Sequence, residues 1–510
     1  MVYDNKILIG KSGSENVYIY PSMANRHGLI AGATGTGKTV TLKVMAESFS
    51  DLGVPVFLAD AKGDLAGMGF QGEMNDNISS RVEKMGLSDL GFRLDYYPAT
   101  FWDVYQKGGI PLRTTVSEMG PMLLSRILGL NETQSAIMTI LFKIADDDGL
   151  LLIDTKDLKA MIQYVGENSK EYSLKYGNMS KQSLSAILRA VVSLEAIGGE
   201  TFFAEPAVDI HDFFGTSLTG KGKIEILDCR ELMNSPVMYA TFMMWLISEL
   251  FEALPEAGDM DKPRIVFFFD EAHMLFDGAP KVLLDRIGQM VKLIRSKGVG
   301  IYFITQSPQD VPDEVLAQLG NKVQHALRAY TPAEQKKLKA AAMSYRANPD
   351  FDTLEALQNL GVGEALVSVL DETGIPTVVK KCNILPPQSR MGAITDGERA
   401  GAINSDNLYI KYKDYVDNDS AYEFMERMRI NQEEQAQAAV QAAKAEKERE
   451  QNSKKWGKLV TNTGKSAAGT AGRELGNTLG KTVGGSFGKK LGGNIGATLG
   501  RGLFETLFKK

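Results

Sequence analysis

Apolar residues along this chain fall into two patterns. One is a short run that ends on a polar residue: Val54-Pro55-Val56-Phe57-Leu58-Ala59 before Asp60, Ile265-Val266-Phe267-Phe268-Phe269 before Asp270, and Ile301-Tyr302-Phe303-Ile304-Thr305 before Gln306. The other is a spacing of three and four residues, as at Ile137, Ile140 and Leu141. The first pattern predicts buried strands and the second amphipathic helices. Strands are thus predicted at 7–9, 17–20, 27–31, 54–59, 94–97, 223–228, 264–269, 299–305 and 322–328. Helices are predicted at 40–49, 236–254, 280–296 and 312–319. Strands alternating with helices predict an α/β fold, a mostly parallel sheet with helices on both faces.

The alternation stops between residues 115 and 215, where helical spacing prevails. This predicts an all-helical insertion dividing a core of residues 1–114 and 216–390. Leu385-Pro386-Pro387 marks the predicted end of the compact part, since proline continues neither a helix nor a strand ladder. Residues 391–452 read as a linker and an Ala/Gln/Glu/Lys-rich helix without sustained apolar heptads. In the last segment, 453–510, glycine recurs every four residues from Gly472 to Gly500, with an apolar residue three after each, such as Leu475, Phe487 and Leu499. On a helix this sets a ridge of small residues beside an apolar ridge. The competing expectation is a disordered glycine-rich tail, because each glycine costs about 1 kcal/mol in a helix.

Charge sharpens that reading. The net charge is −6, yet residues 451–510 carry 11 Lys and Arg against 2 Asp and Glu. A membrane surface, a polyanion or a helical partner is therefore expected for residues 464–510. No apolar run is long enough to span a bilayer, and no secretory leader is apparent, which predicts a cytoplasmic protein, peripheral at the inner membrane if the tail binds there. Cys229 and Cys382 form no pair motif, and His27, His211, His273 and His325 have no metal-ligand spacing.

The chemistry concentrates in three places. Gly32-Ala33-Thr34-Gly35-Thr36-Gly37-Lys38-Thr39 fits the phosphate-binding loop, with a strand before it and a helix behind it. Gly32, Thr34, Gly35, Thr36, Gly37 and Val40 supply the cradle at a helix N-terminus, whose dipole favours anions. Lys38 can reach the β- and γ-phosphates, and the Thr39 hydroxyl can hold Mg²⁺. Asp270 ends a predicted central strand, where it is placed to hold Mg²⁺ through water. Glu271 can polarise the attacking water. Such a pair favours hydrolysis over mere binding. ATP is the expected substrate, since Asn321-Lys322-Val323-Gln324 lacks the final Asp of a guanine-reading motif. Gln306, on the next strand, can sense the γ-phosphate or orient water. Arg295 and Arg328, the latter closing the 322–328 strand, are candidates for an arginine that stabilises transition-state charge, a role usually filled by a neighbouring subunit.

The order of these motifs resembles the HerA/FtsK superfamily of ATP-driven pumps, and within it the HerA-like bacterial proteins of the YjgR type. The resemblance covers residues 1 to about 390, including Phe101-Trp102-Asp103-Val104, Pro111-Leu112-Arg113 and residues 323–328. It implies a RecA-like (ASCE) P-loop NTPase core, an ATPase with Mg²⁺, hexameric rings and a link to DNA translocation. It places Lys38 and Thr39 at the family's phosphate and Mg²⁺ positions, Asp270 and Glu271 at its metal and base positions, and Gln306 at its sensor. It leaves open which of Arg295 and Arg328 is the finger. Two features depart from the pattern: only about 25 residues precede the loop where HerA proteins carry a β-barrel, and Ser307 stands where the pumps often have Arg. The expected function is an ATP-driven nucleic-acid motor. The alternatives are an ATPase that remodels a protein or membrane partner, and a slow nucleotide-dependent switch.

Overall fold

The computed structural model describes residues 1–258, 260–277 and 281–457. Residues Met1–Arg427 form one compact unit and Met428–Lys510 a second, whose described part is helical. The glycine-repeat pattern of 464–510 lies outside the described residues.

One large sheet organises the first unit. Its strands in chain order are β1 Val2–Tyr3, β2 Lys6–Ser12, β3 Glu15–Ile19, β4 Gly28–Ala31, β5 Val56–Asp60, β6 Ala99–Asp103 and β7 Ile110–Pro111. They continue with β8 Ile224–Asp228, β9 Ile265–Phe269, β10 Val299–Thr305, β11 Asn321–Gln324, β12 Glu364–Ser368 and β13 Lys380–Ile384. The spatial order is β1-β2-β13-β12-β11-β4-β10-β9-β5-β8-β6-β7, with β3 on β2. From β11 to β7 every pairing is parallel, and from β11 back to β1 every pairing is antiparallel.

Side chains alternate across the central strands, as period-two geometry requires. Phe267 and Phe269 join Phe57, Ile301 and Phe303 on one face, where helix Pro236–Ala253 packs. Val266 and Phe268 join Leu58, Tyr302 and Ile304 on the other, with Leu42, Met45 and Phe49 of helix Lys38–Asp51. The sheet is thus apolar on both faces, which is why its strands read as unbroken runs. Between β7 and β8 the helices Val116–Ile127, Glu132–Asp148, Thr155–Glu167, Ser169–Tyr176, Lys181–Ala196 and Gly199–Phe202 follow one another. Their apolar stripes, Leu124, Leu141, Met161 and Ile187 among them, share the first face's core.

Several elements differ from the sequence reading. Residues 94–97 form no strand. The backbone N–H groups of Asp95 and Tyr97 donate to Gln388 O and Met68 O instead, and Pro98 separates them from β6. The 322–328 strand stops at Gln324, so Arg328 does not close a strand. Its partner β4 ends at Ala31, where the chain turns into the loop at Gly32, and beyond that point only single bonds continue, His325 N–H to Ala31 O at 2.7 Å and Ala33 N–H to Ala326 O at 2.9 Å. The 280–296 helix ends at Ile294 and closes in a single 3₁₀ turn, Arg295–Lys297, before Gly298. The compact part also continues past Pro386-Pro387. Helices Asp396–Ser405 and Asn407–Tyr412 stay in the first unit, with Tyr412 buried against Trp102 and Arg399 against Asp228. Strands β12 and β13 have no counterpart in the sequence reading.

Candidate active site

The loop between β4 and helix Lys38–Asp51 is shaped by what surrounds it. Gly37 caps the helix with φ 115°, a left-handed conformation that glycine takes without steric cost. Gly32 lies so close to the next strand that an added Cβ would stand 2.5 Å from His325 Cβ. His325 braces the loop from below. Its Nδ1 lies 3.0 Å from Glu364 O and its Nε2 2.8 Å from Thr41 Oγ1. A carbonyl can only accept, so Nδ1 carries the proton and Nε2 accepts from the Thr41 hydroxyl. Burial holds the ring neutral, with its pKa down to about 4. A second brace comes from the start of β12, where Gly363 N–H donates to Thr36 O at 3.1 Å and Arg81 donates to Gly363 O.

Gly35, Lys38, Thr39, Lys62 and Asp270 line one cavity of about 250 Å³ at the C-terminal ends of β4, β5 and β9. The Lys38 ammonium donates to Gly32 O at 2.6 Å and Ala33 O at 3.1 Å. Burial pulls its pKa down, the Lys62 charge adds to this, and Glu271 and Asp270 oppose it. Asp270 is 8% exposed. Burial raises its carboxyl to about 7, with Lys62 working against the shift and Glu271 adding to it. Its backbone carbonyl is held by the Tyr239 hydroxyl at 2.6 Å.

Glu271 is the unusual residue. Its backbone sits at φ 47°, a conformation rare for residues with a side chain. Its Oε1 pairs with Lys62 Nζ at 3.1 Å, and its Oε2 is buried without a hydrogen-bond partner. The nearest polar group to that Oε2 is His273 Nδ1, at 3.4 Å. A largely buried carboxylate next to Asp270 in sequence, with Lys62 of the cavity on one oxygen, can accept a proton from water that reaches it.

The residues present fit a nucleoside triphosphate with a divalent cation. An open helix N-terminus and two ammonium groups would take the phosphates. Thr39 and Asp270 would hold the metal, which supplies charge neutralisation and orientation of phosphate oxygens. Gln306 is exposed at the end of β10 and lines a second cavity, of about 640 Å³, with Ala33, His273 and Arg328. Arg328 is therefore beside its own chain's loop, its Nη1 donating to Gln358 O at 3.3 Å. Arg295 is not brought to the site. It precedes β10 and Gln306 follows it, and the seven residues between Val299 and Thr305 span about 23 Å. Lys62, His273 and His325 carry no role in the sequence reading. Only the short polar stretch Asp60-Ala61-Lys62-Gly63-Asp64 after an apolar strand pointed to the first of them.

The family model described as Helicase HerA-like C-terminal matches residues 5–510. This chain belongs to the HerA-like family. The DNA double-strand break repair helicase HerA of Sulfolobus acidocaldarius is 21% identical to it over 384 residues, covering 73% of this chain and 68% of that protein. The Probable helicase MJECL08 of Methanocaldococcus jannaschii is 31% identical over 138 residues, 26% of this chain and 24% of that one. Among solved structures, the plasmid coupling protein TrwB in complex with a non-hydrolysable ATP analogue superposes with a TM-score of 0.50 at 14% identity, over 77% of this chain and 96% of that one. That likeness is one of fold. This HerA-like protein is an ATP-hydrolysing, helicase-like motor. Among the described residues no helix is long and apolar enough to cross a membrane.

Proposed function

We propose that this HerA-like motor assembles as a ring of identical subunits, a hexamer, and hydrolyses ATP at subunit boundaries to move along DNA. The position of Arg295 supports the ring: it is exposed and about 23 Å along the sheet from its own chain's site, so as a finger it would act on a neighbour's. In this reading Gly32, Thr34, Gly35, Thr36, Gly37 and Val40 cradle the phosphates, and Lys38 neutralises the β- and γ-groups. Thr39 and Asp270 hold Mg²⁺, and Glu271 takes the proton of the attacking water. Gln306 reads the γ-phosphate, and Arg328 supports the site of its own chain. The relatives named as DNA repair helicases support DNA as the track.

The test is steady-state ATP hydrolysis at low and moderate salt, with and without double- and single-stranded DNA. Stimulation of several-fold that fades with salt is expected, because phosphate contacts release counterions. The basic residues 451–510 favour a second reading, an ATPase acting on a membrane-associated or protein partner at that tail. Hydrolysis indifferent to DNA but raised by anionic vesicles would select it.

A further inference from the structure

Lys62 is a second lysine in the phosphate cavity, and the fold holds it there with some care. It follows β5, the neighbour of β9, so its loop leaves the sheet beside Asp270 and Glu271. The Asp60 carboxylate accepts from the backbone N–H groups of Lys62 at 3.2 Å, Gly63 at 2.7 Å and Leu65 at 3.1 Å. Three bonds to one buried carboxylate fix the loop, and with it the origin of the Lys62 side chain. From there Nζ reaches Glu271 Oε1 at 3.1 Å while lining the same cavity as Lys38 and Thr39.

The two partners of this pair are unequal. The Glu271 side chain is 12% exposed on a constrained backbone, whereas the Lys62 side chain is 45% exposed on a flexible four-carbon stem. A pair with one member half in water contributes little to stability, so stability does not explain it. Burial works against the Lys62 charge, yet Asp270 and Glu271 together hold its pKa above the ordinary lysine value, so the ammonium stays charged. Lys62 and Lys38 line the one cavity, which places both cations within reach of one anion.

We propose that Lys62 exchanges between two acceptors, the Glu271 carboxylate and the terminal phosphoryl group of the bound nucleotide. When the triphosphate draws the ammonium away, Glu271 Oε1 is released as an acceptor for the attacking water. Readiness of the base is thereby tied to the presence of the γ-phosphate. The inference rests on the reading of this cavity as the ATP site.

The experiment measures binding of fluorescent ADP and of a fluorescent non-hydrolysable ATP analogue to the full chain, with thermal melting as a folding control. Lys62→Met should weaken the triphosphate about tenfold, as loss of one charge-assisted contact does, and ADP by less than about twofold. Lys62→Arg should restore the ratio. Glu271→Gln should tighten the triphosphate by releasing Lys62, and the gain should vanish in Glu271→Gln/Lys62→Met. Equal loss of both nucleotides in Lys62→Met, no loss of either, or a gain that survives in the double variant would overturn the exchange. Lys38→Ala separates the two levels. If it binds both nucleotides like the parent protein, the ATP-site reading itself fails; if it does not, a negative Lys62 result sinks only this inference.

Discussion

At the scale of single residues, two acids are held in environments that set their behaviour. Glu271 is placed by a left-handed backbone beside Asp270, and such a conformation persists where the surrounding structure demands it. Glu271→Gln is expected to keep ATP binding and to lower kcat by at least about a hundredfold, the loss typical of a positioned general base. Lys38→Ala should weaken nucleotide binding itself. Wild-type turnover in Glu271→Gln would remove Glu271 from the base position. Glu225, inside β8, is an acid of a different kind. It accepts from Trp102 Nε1 at 2.7 Å, its Oε1 is buried without a partner, and burial raises its pKa from 4.5 to about 8. Between those values the folded chain keeps a proton that the unfolded chain gives up, so stability falls as pH rises through that window. A glutamine mimics the protonated form and removes the dependence. The melting temperatures of the parent and Glu225→Gln should be similar near pH 5 and differ by several degrees in favour of the variant at pH 8, since each tenfold change in proton affinity is worth about 1.4 kcal/mol. A gap that does not change with pH would show that Glu225 is ionised in the fold.

At the scale of elements, the strands that carry the chemistry were the most legible. β9 and β10 are buried on both faces, so their apolar runs stand out, and each is followed by a polar residue, Asp270 or Gln306. The strand expected at 94–97 was misplaced because Tyr96 and Tyr97 look like strand residues, while the ladder begins only after Pro98, at Ala99. β12 and β13 escaped because, besides pairing with each other, they are ordered by antiparallel partners earlier in the chain, β11 for one and β2 for the other. The helices after Pro386-Pro387 escaped for a related reason. Their buried groups are few and polar, and their partners are remote: Arg399 faces Asp228, and Tyr412 O accepts from Arg113 at 2.9 Å. A chain ending at residue 427 should melt with the parent protein. One ending at residue 390 should melt roughly 10 °C lower or fail to fold, since truncating a buried aromatic costs about 3–5 kcal/mol and Arg113 and Asp228 lose partners. Equal melting of the two would return the boundary to Pro386-Pro387.

At the scale of the whole molecule, the two candidate arginines separate. Arg328 shares a cavity with Gln306, and Arg295 lies at the other end of β10. Mixing Arg295→Ala subunits with Glu271→Gln subunits should restore activity, because about a quarter of boundaries in a random ring then pair an intact arginine with an intact base. The same mixture with Arg328→Ala should restore none, since that arginine and Glu271 belong to one site on one chain. Restoration by Arg328→Ala instead would exchange their roles. By itself the sequence determined the α/β class, the glycine-rich loop between β4 and helix Lys38–Asp51, and the acids at Asp270 and Glu271 that follow β9. Those features are local: a run of apolar residues, glycines at fixed offsets, and a polar residue at a strand end. Only the tertiary structure decided that Lys62 meets Glu271, that His325 braces Gly32 and Thr41, and that Arg295 lies away from its own site. Each of these depends on which strands are neighbours and which end of the sheet a loop leaves, and that order is set by packing between segments far apart in the chain.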